Sequence, residues 1–155
     1  MSAGPRADAV TPPSLVRVRY ADTDQMGITY HANYLVWFEV GRTDWLRHHG
    51  WTYRDMEREG FLLPVIAVSC RYLTPARYDD ELEVHTRAAL VTPVRVRFDY
   101  ELRHAGGGAL AAIGHTEHAV LGAGGKPCRV PERVRRAMAP APSKARPRGR
   151  AQRLQ

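Results

Sequence analysis

Residues 94–103, "VRVRFDYELR", alternate without a break: Val94, Val96, Phe98, Tyr100 and Leu102 fall on one side, Arg95, Arg97, Asp99, Glu101 and Arg103 on the other. A period of two over ten residues is the pattern of a strand with one buried and one charged face, and no helix accommodates it. This strand has neighbours of its own kind. "LPVIAVSCRYL" comes earlier, "DELEVHTRAALV" leads into it through Thr92 and Pro93, and "LAAIGHTEHAVL" follows the turn "HAGGG". Long strands joined by tight turns predict an antiparallel meander. The charged face of 94–103 suits water and a partner subunit equally well.

The chain ahead of these strands has a different period. From about His31 to His49 the apolar residues Tyr34, Leu35, Trp37, Phe38, Gly41, Trp45 and Leu46 fall at helical spacing, with Glu39, Arg42, Asp44 and Arg47 between them. The apolar face is wide and aromatic, which predicts a helix covered on more than one side, as by a sheet that curls around it. Gly50 supplies a stop. "TYRDMERE" reads as a second, short helix, capped by Thr52 with Asp55 three residues on and ended by Gly60. "SLVRVRY" is a short opening strand, and "PERVRRAM" a short terminal helix beginning at Pro131. The order of strand, long helix, short helix and four strands gives an α+β domain, a curled antiparallel sheet around one long central helix.

A chain of 155 residues suits one such domain, here expected over 14–138. Residues 1–13, with Pro5, Pro12 and Pro13, read as a flexible lead without the apolar stretch of a secretory signal. No apolar run approaches the ~18 residues of a membrane span. The net charge of +7 is mostly a matter of residues 139–155, which hold Lys144, Arg146, Arg148, Arg150 and Arg153 and no acid, so the rest of the chain carries only +2. That segment is rich in Pro and Ala and reads as a solvated, disordered tail. A near-neutral body argues against a nucleic-acid binder. Cys70 and Cys128 have no metal-ligand partner at close spacing, and together these features fit a reducing cytoplasm.

The candidate chemistry lies in "YADTDQMGITYHANYLVWFE", residues 20–39. A strand delivers Tyr20 and the loop 21–30 to the mouth of the long helix. The first N–H groups of a helix lack partners within it, carry partial positive charge and bind oxyanions. Here those donors lie near Tyr30, His31 and Ala32. Asp24 comes seven residues before His31, and Gly27 permits the tight return that brings its carboxylate toward the same place. A carboxylate beside an oxyanion hole is what acyl transfer needs: one attacks the carbonyl or activates water, the other receives the developing charge. None of Ser2, Ser14, Ser69 and Ser143 stands in a G-x-S-x-G context. A thioester suits a carboxylate, because a thiolate leaves readily.

The segment "VRVRYADTDQMGITYHANYLVWFEVGRTDWLR" resembles the signature of the hotdog-fold thioesterases of the 4-hydroxybenzoyl-CoA and YbgC type. In that family a strand ends in an aromatic residue, D-x-D-x-x-G-x-x-Y/W-H-x-x-Y follows, and an apolar helix then carries an acid and an arginine, as in Glu39 and Arg42. "RYLTPARYDDELEV" matches as well, and the resemblance covers roughly residues 15 to 135. It implies the hotdog fold and hydrolysis of acyl-CoA without metal or prosthetic group. It implies a homodimer or homotetramer with sites between subunits. Position by position, it makes Asp24 the catalytic carboxylate and His31 the helix-mouth residue, whose N–H polarises the thioester and whose imidazole assists Asp24. It matches Tyr20 to the aromatic that bonds near Asp24. Tyr30, Arg71 and Arg77 are the candidates for holding substrate.

Plainer readings stand beside these. Asp22 reads as a turn former rather than a catalyst, and Asp24 by itself is equally a loop cap. His31 is otherwise a capping histidine, and Glu39 pairs with Arg42 or Arg47 along the helix. "HTEH", residues 115–118, looks like a metal motif, but in a strand His115 and His118 face opposite ways. Trp37, Phe38, Trp45 and Phe61 either line an acyl pocket or fill the core. The alternative function is a non-catalytic acyl-CoA or acyl-carrier-protein binding module of the same fold. A carboxylate adds nothing to the binding of a neutral thioester and so weighs against it.

Overall fold

The computed structural model describes residues 11–138. Strand β1 (Ser14–Arg17) comes first, then a 3-10 turn (Tyr20–Asp22), helix α1 (Asn33–His48) and helix α2 (Tyr53–Glu59). Strands β2 (Val65–Tyr72), β3 (Glu81–Thr92), β4 (Arg95–His104) and β5 (Leu110–Ala119) follow, and a short helix α3 (Glu132–Arg135) closes the described chain. The expected order is therefore present, in one five-stranded antiparallel sheet packed on α1. The lead before residue 11 and the basic tail 139–155 lie outside the described residues.

The strand order is β1-β3-β4-β5-β2. Only β3, β4 and β5 form the expected meander. β2 does not pair with its successor; it crosses to the far side of β5, with Tyr72 opposite Ala112 and Cys70 opposite Gly114. This leaves β1 and β2 as the sheet edges and puts the 94–103 strand in the interior, between β3 and β5. Its charged side is matched within the sheet. Arg97 pairs with Asp99 at 2.9 Å and Arg103 with Glu101 at 3.1 Å, while Glu83 lies opposite Arg103 and Arg97 opposite Glu117.

The other side of the sheet meets α1. Val96, Phe98, Tyr100 and Leu102 of β4 are buried with Leu82, Val84 and Ala88 of β3 and with Tyr34, Trp37, Phe38, Trp45 and Leu46 of the helix. Phe38 stacks flat on Tyr100 with ring centres 4.3 Å apart. Leu35 and Val36, by contrast, are exposed, so in one chain the apolar helix face is wider than its cover. α2 has the expected reciprocal cap between Thr52 and Asp55, and Gly60 ends it in the left-handed conformation that glycine adopts most cheaply.

Strand β1 is shorter than its alternation suggests. The ladder runs from Ser14 opposite Val84 to Arg17 opposite Glu81. β3 is preceded by a turn where Asp79 has φ +69°, so the regular ladder ends at Arg17; Val18 still bonds that turn, its N–H donating to the Asp80 carbonyl at 2.9 Å and its carbonyl accepting the Asp79 N–H at 2.8 Å. Helix α1 likewise begins two residues later than expected, because His31 and Ala32 form a turn ahead of it.

Candidate active site

The loop between the 3-10 turn and α1 is a small hairpin. Thr23 bridges Thr29, the Asp24 N–H donates to the Ile28 carbonyl at 3.0 Å, and the Gly27 N–H donates to the Asp24 carbonyl at 3.0 Å. Gly27 has φ +74°, a conformation that its missing Cβ makes inexpensive. The Asp24 carboxylate is half-buried, and one oxygen accepts the Met26 N–H at 2.8 Å. Part of the plainer reading thus holds: Asp24 shapes its own loop through this contact.

Asp22 anchors that loop. Its carboxylate is buried, 5% exposed, and accepts the Arg19 N–H at 2.8 Å and the Arg19 guanidinium at 3.0 Å. Burial pushes this carboxyl up, but the hydrogen bonds and charge of Arg19 outweigh burial and the net shift is downward. The Asp22 carbonyl accepts both the Tyr30 N–H and the Asn33 side chain, each at 2.8 Å. Thr29 adds two bonds to the Ala76 carbonyl, from its N–H at 2.8 Å and its hydroxyl at 2.9 Å. Arg77 reaches the Gly27 carbonyl at 3.4 Å from the corner after β2. The hairpin that carries Asp24 is thus tied to the turn before it, the helix after it and the corner beside it.

At the helix mouth the Asn33 N–H donates to the Tyr30 carbonyl at 3.0 Å and the Leu35 N–H to the Ala32 carbonyl at 3.1 Å. Among the described residues the N–H groups of His31 and Ala32 have no acceptor. Tyr30, by contrast, is not an open donor, since its N–H belongs to Asp22. His31 is exposed, and its imidazole lies against Tyr30 with ring centres 4.6 Å apart. The Tyr72 hydroxyl, from β2, donates to the His31 carbonyl at 2.9 Å.

The remaining candidates are scattered. Tyr20 is 79% exposed and packs edge-on against Tyr78, with no hydrogen bond from its hydroxyl to Asp24 among the described residues. Arg71 follows β2 alternation onto the face opposite Tyr72, away from α1. Trp37, Phe38 and Trp45 fill the core, and Phe61 packs on the buried Trp51. His118 is buried, bonded to the Leu63 carbonyl and the Thr116 hydroxyl, while His115 lies on the other face. No group of three His, Cys, Asp or Glu side chains among the described residues is close enough to hold a metal. No described helix is long and apolar enough to cross a membrane. A groove of about 370 Å³ runs along the outer face of α1, lined by Val36, Val40 and Arg47 among others, and does not include Asp24 or His31.

Sequence reasoning did not find Asn33 or Tyr72. Asn33 has a local signal, an amide at the first position of a helix that follows a turn. Tyr72 has none, because its contact with His31 spans 41 residues and depends on β2 crossing to the β5 edge.

The geometry has relatives. Bacillus subtilis YneP is 54% identical over 71 residues, 46% of this chain and 51% of that protein. The acyl-CoA thioester hydrolase YbgC of Escherichia coli O6:H1 is 42% identical over 71 residues, 46% of this chain and 53% of its own. The chain thus spans about half the length of these curated relatives. A crystal structure of the DHNA-CoA thioesterase of Staphylococcus aureus superposes with a TM-score of 0.71 at 34% identity, over 76% of this chain and 79% of that one. The family model described as the thioesterase-like superfamily matches residues 18–138. A hotdog sheet around one helix, an anchored acidic hairpin and a match over most of the chain lead to one conclusion: this protein belongs to the thioesterase-like superfamily.

Proposed function

We propose that the protein hydrolyses an acyl-CoA thioester to a free acid and CoA, with Asp24 as the reacting carboxylate and the N–H groups of His31 and Ala32 as the oxyanion hole. The observation that carries this reading is the pair of unpartnered N–H groups at the mouth of α1, beside a hairpin that holds an acid. Unpaired donors at a helix start are polarised toward negative charge and need no reorganisation as it develops. The relatives named as thioester hydrolases support the choice of substrate.

Two routes use the same groups. As a general base, Asp24 takes a proton from water, the hydroxide oxygen bonds the carbonyl carbon, and collapse of the tetrahedral oxyanion breaks the C–S bond, the thiolate leaving to be protonated. As a nucleophile, Asp24 forms a mixed anhydride as the thiolate leaves, and water then cleaves the anhydride. A single turnover in heavy-oxygen water separates them, since the nucleophilic route leaves label in the Asp24 carboxylate when water attacks at that side of the anhydride.

His31 is exposed and Asp24 partly so in one chain, and among the described residues β2 beside them is an edge strand whose one neighbour is β5. Val65, Ile66, Val68 and Leu73 are each about half exposed on and just after that strand. Free strand edges with apolar side chains pair with other strands. A second copy pairing antiparallel along β2 extends the sheet, covers these side chains and walls the site, giving a homodimer or a homotetramer built from two dimers. Tyr30, at the helix mouth, is the best-placed of the candidate substrate contacts. Arg77 has its loop-bracing bond, and Arg71 serves a CoA phosphate only across the sheet edge.

The test is release of free thiol from a panel of aromatic, short-chain and long-chain acyl-CoAs by the purified protein. Turnover of at least one member above the uncatalysed rate is expected. Saturable binding of the whole panel with no thiol release would replace this reading with the acyl-CoA or acyl-carrier-protein binding module.

A further inference from the structure

Tyr72 stands in an unusual place for an edge-strand tyrosine. Its hydroxyl donates to the His31 carbonyl at 2.9 Å, and its ring stands edge-on to Tyr34 at 5.0 Å and to His31 at 6.3 Å. The His31 carbonyl belongs to the same peptide unit as the Ala32 N–H. That unit is planar, with the carbonyl and the N–H pointing opposite ways. A donor fixed on one end therefore fixes the direction of the other. A hydrogen bond accepted by an amide oxygen also draws electrons from the nitrogen and strengthens the N–H as a donor, which is the cooperativity of hydrogen-bonded chains.

We propose that Tyr72 is a positioning residue for the oxyanion hole: by donating to the His31 carbonyl it sets the plane of the His31–Ala32 peptide and strengthens the Ala32 N–H that receives the developing charge. This rests on the functional reading above. The other contact to this carbonyl, from the Tyr34 N–H, is long at 3.4 Å, so Tyr72 makes the shorter bond. Ala32 at the cap position of α1 makes no side-chain cap bond, so the orientation of the peptide ahead of the helix depends on contacts from outside it. The Tyr34 and His31 rings hold the phenol on the helix side. Burial, with Cys70 and Tyr34 adding to it, pushes the Tyr72 hydroxyl up to about 12, so it remains a proton donor throughout the neutral and alkaline range in which a thioester is hydrolysed.

The contact joins two distant parts of the chain. Residues 30–33 depend on Asp22 for the first half of their anchoring and on β2 for the second. Asn33 clamps the Tyr30 carbonyl from within the turn, and Tyr72 clamps the next carbonyl from the sheet. Each unpartnered N–H at the helix mouth thus belongs to a peptide whose oxygen is already held.

The experiment grades the donor at position 72 in the full-length protein. Tyr72→Phe removes it without changing the ring, and incorporation of 3-fluorotyrosine makes it a stronger donor that stays protonated. With the best acyl-CoA of the panel, Tyr72→Phe is expected to lower kcat by about 5- to 50-fold, less than deletion of a direct oxyanion donor. KM should stay within about 2-fold, and fluorotyrosine should raise kcat above wild type. The Ala32 amide nitrogen resonance should move in opposite directions in the two proteins. A Phe variant with wild-type kcat, or an Ala32 resonance that ignores both changes, overturns the assignment while leaving the hydrolase reading intact. So does a fluorotyrosine protein slowed as much as the Phe variant, since that marks a packing role. A wild-type protein that releases no thiol from any panel member defeats the hydrolase reading itself. If Tyr72→Phe does not fold, the fluorotyrosine protein alone decides, because a faster kcat upholds the proposal and an unchanged or slower one ends it.

Discussion

The Asn33 side chain donates to the main-chain carbonyl of Asp22 at 2.8 Å, and the Tyr30 N–H reaches the same oxygen at 2.8 Å. One carbonyl therefore closes the loop that carries Asp24, joining the turn before the hairpin to the first residue of α1. Asn33→Leu removes the side-chain half of this tie and leaves a neighbouring oxygen less satisfied. We expect kcat/KM to fall by roughly 10-fold through looser positioning of Asp24, with helix content unchanged by circular dichroism. Wild-type kinetics would show that the tie does not organise the site.

At Gly41, α1 lies close against β3. A Cβ built there would lie 2.5 Å from the Thr86 hydroxyl and 2.7 Å from Val84 Cγ1. Gly41→Ala gains helix propensity but forces α1 off β3, and the loss of packing should outweigh the gain. A net destabilisation of roughly 1–3 kcal/mol is expected by urea denaturation. Gly114 is tighter still, against the Ser69 carbonyl and the Phe38 ring, and its alanine variant should cost at least as much. A Gly41→Ala protein more stable than wild type would mean that the helix does not pack at this distance.

His118 makes stability depend on pH. With the ring neutral, Nδ1–H donates to the Leu63 carbonyl at 2.9 Å, Nε2 accepts the Thr116 hydroxyl at 2.8 Å, and the Thr116 oxygen then accepts a hydrogen bond from the Tyr100 hydroxyl at 2.6 Å. The relay requires a neutral ring. Burial holds the folded ring below the usual 6.5, with Arg42 nearby acting the same way and the Leu63 bond opposing. The unfolded chain then binds the proton more readily, so stability rises with pH in this range. It should be full above about pH 6.5, decline as pH falls below that, and stop declining once the folded ring titrates. His49, lowered by burial and by His48, adds in the same direction. Denaturation across pH 5 to 8, repeated on His118→Gln, should show a shallower slope in the variant; equal slopes would remove His118 from the effect.

The β2 edge should govern assembly. Light scattering of the wild-type protein is expected to give at least twice the 17.4 kDa chain mass. Val68→Lys places a charge on the half-exposed, helix-facing side of β2 and should shift the protein toward monomer, since charged side chains guard strand edges against pairing. Wild-type protein that runs as a monomer at micromolar concentration would rule out the shared-site arrangement.

Much of this architecture is legible in the chain alone, and the reasons differ by element. The β4 alternation, the Thr52–Asp55 cap and the Gly60 stop are local signals, read from residues within one strand or one turn of each other. The Gly27 turn and the helix start that follows it, between which Asp24 and His31 lie, are legible because both are local as well. The partner of a strand is not local. Nothing in "VIAVSCRY" says that it crosses to β5 instead of pairing with β3, and the edge position of β2, the interior position of β4 and the Tyr72–His31 bond all follow from that choice. Arg42 shows a different limit. Helical spacing places it among polar residues, yet Arg42 is half-buried, with the Tyr100 and Tyr53 hydroxyls near its guanidinium.

The most direct measurement is kcat of Asp24→Asn on the best acyl-CoA, beside Asp22→Asn. The amide keeps the shape of Asp24 and its bond to the Met26 N–H but cannot take a proton or attack carbon. We expect kcat to fall by about 10²- to 10⁴-fold with an unchanged circular dichroism spectrum. Asp22→Asn, which weakens the Arg19 anchor, should lower stability more than it lowers kcat. An Asp24→Asn protein that keeps more than half of the wild-type kcat would contradict the assignment of Asp24 as the reacting carboxylate.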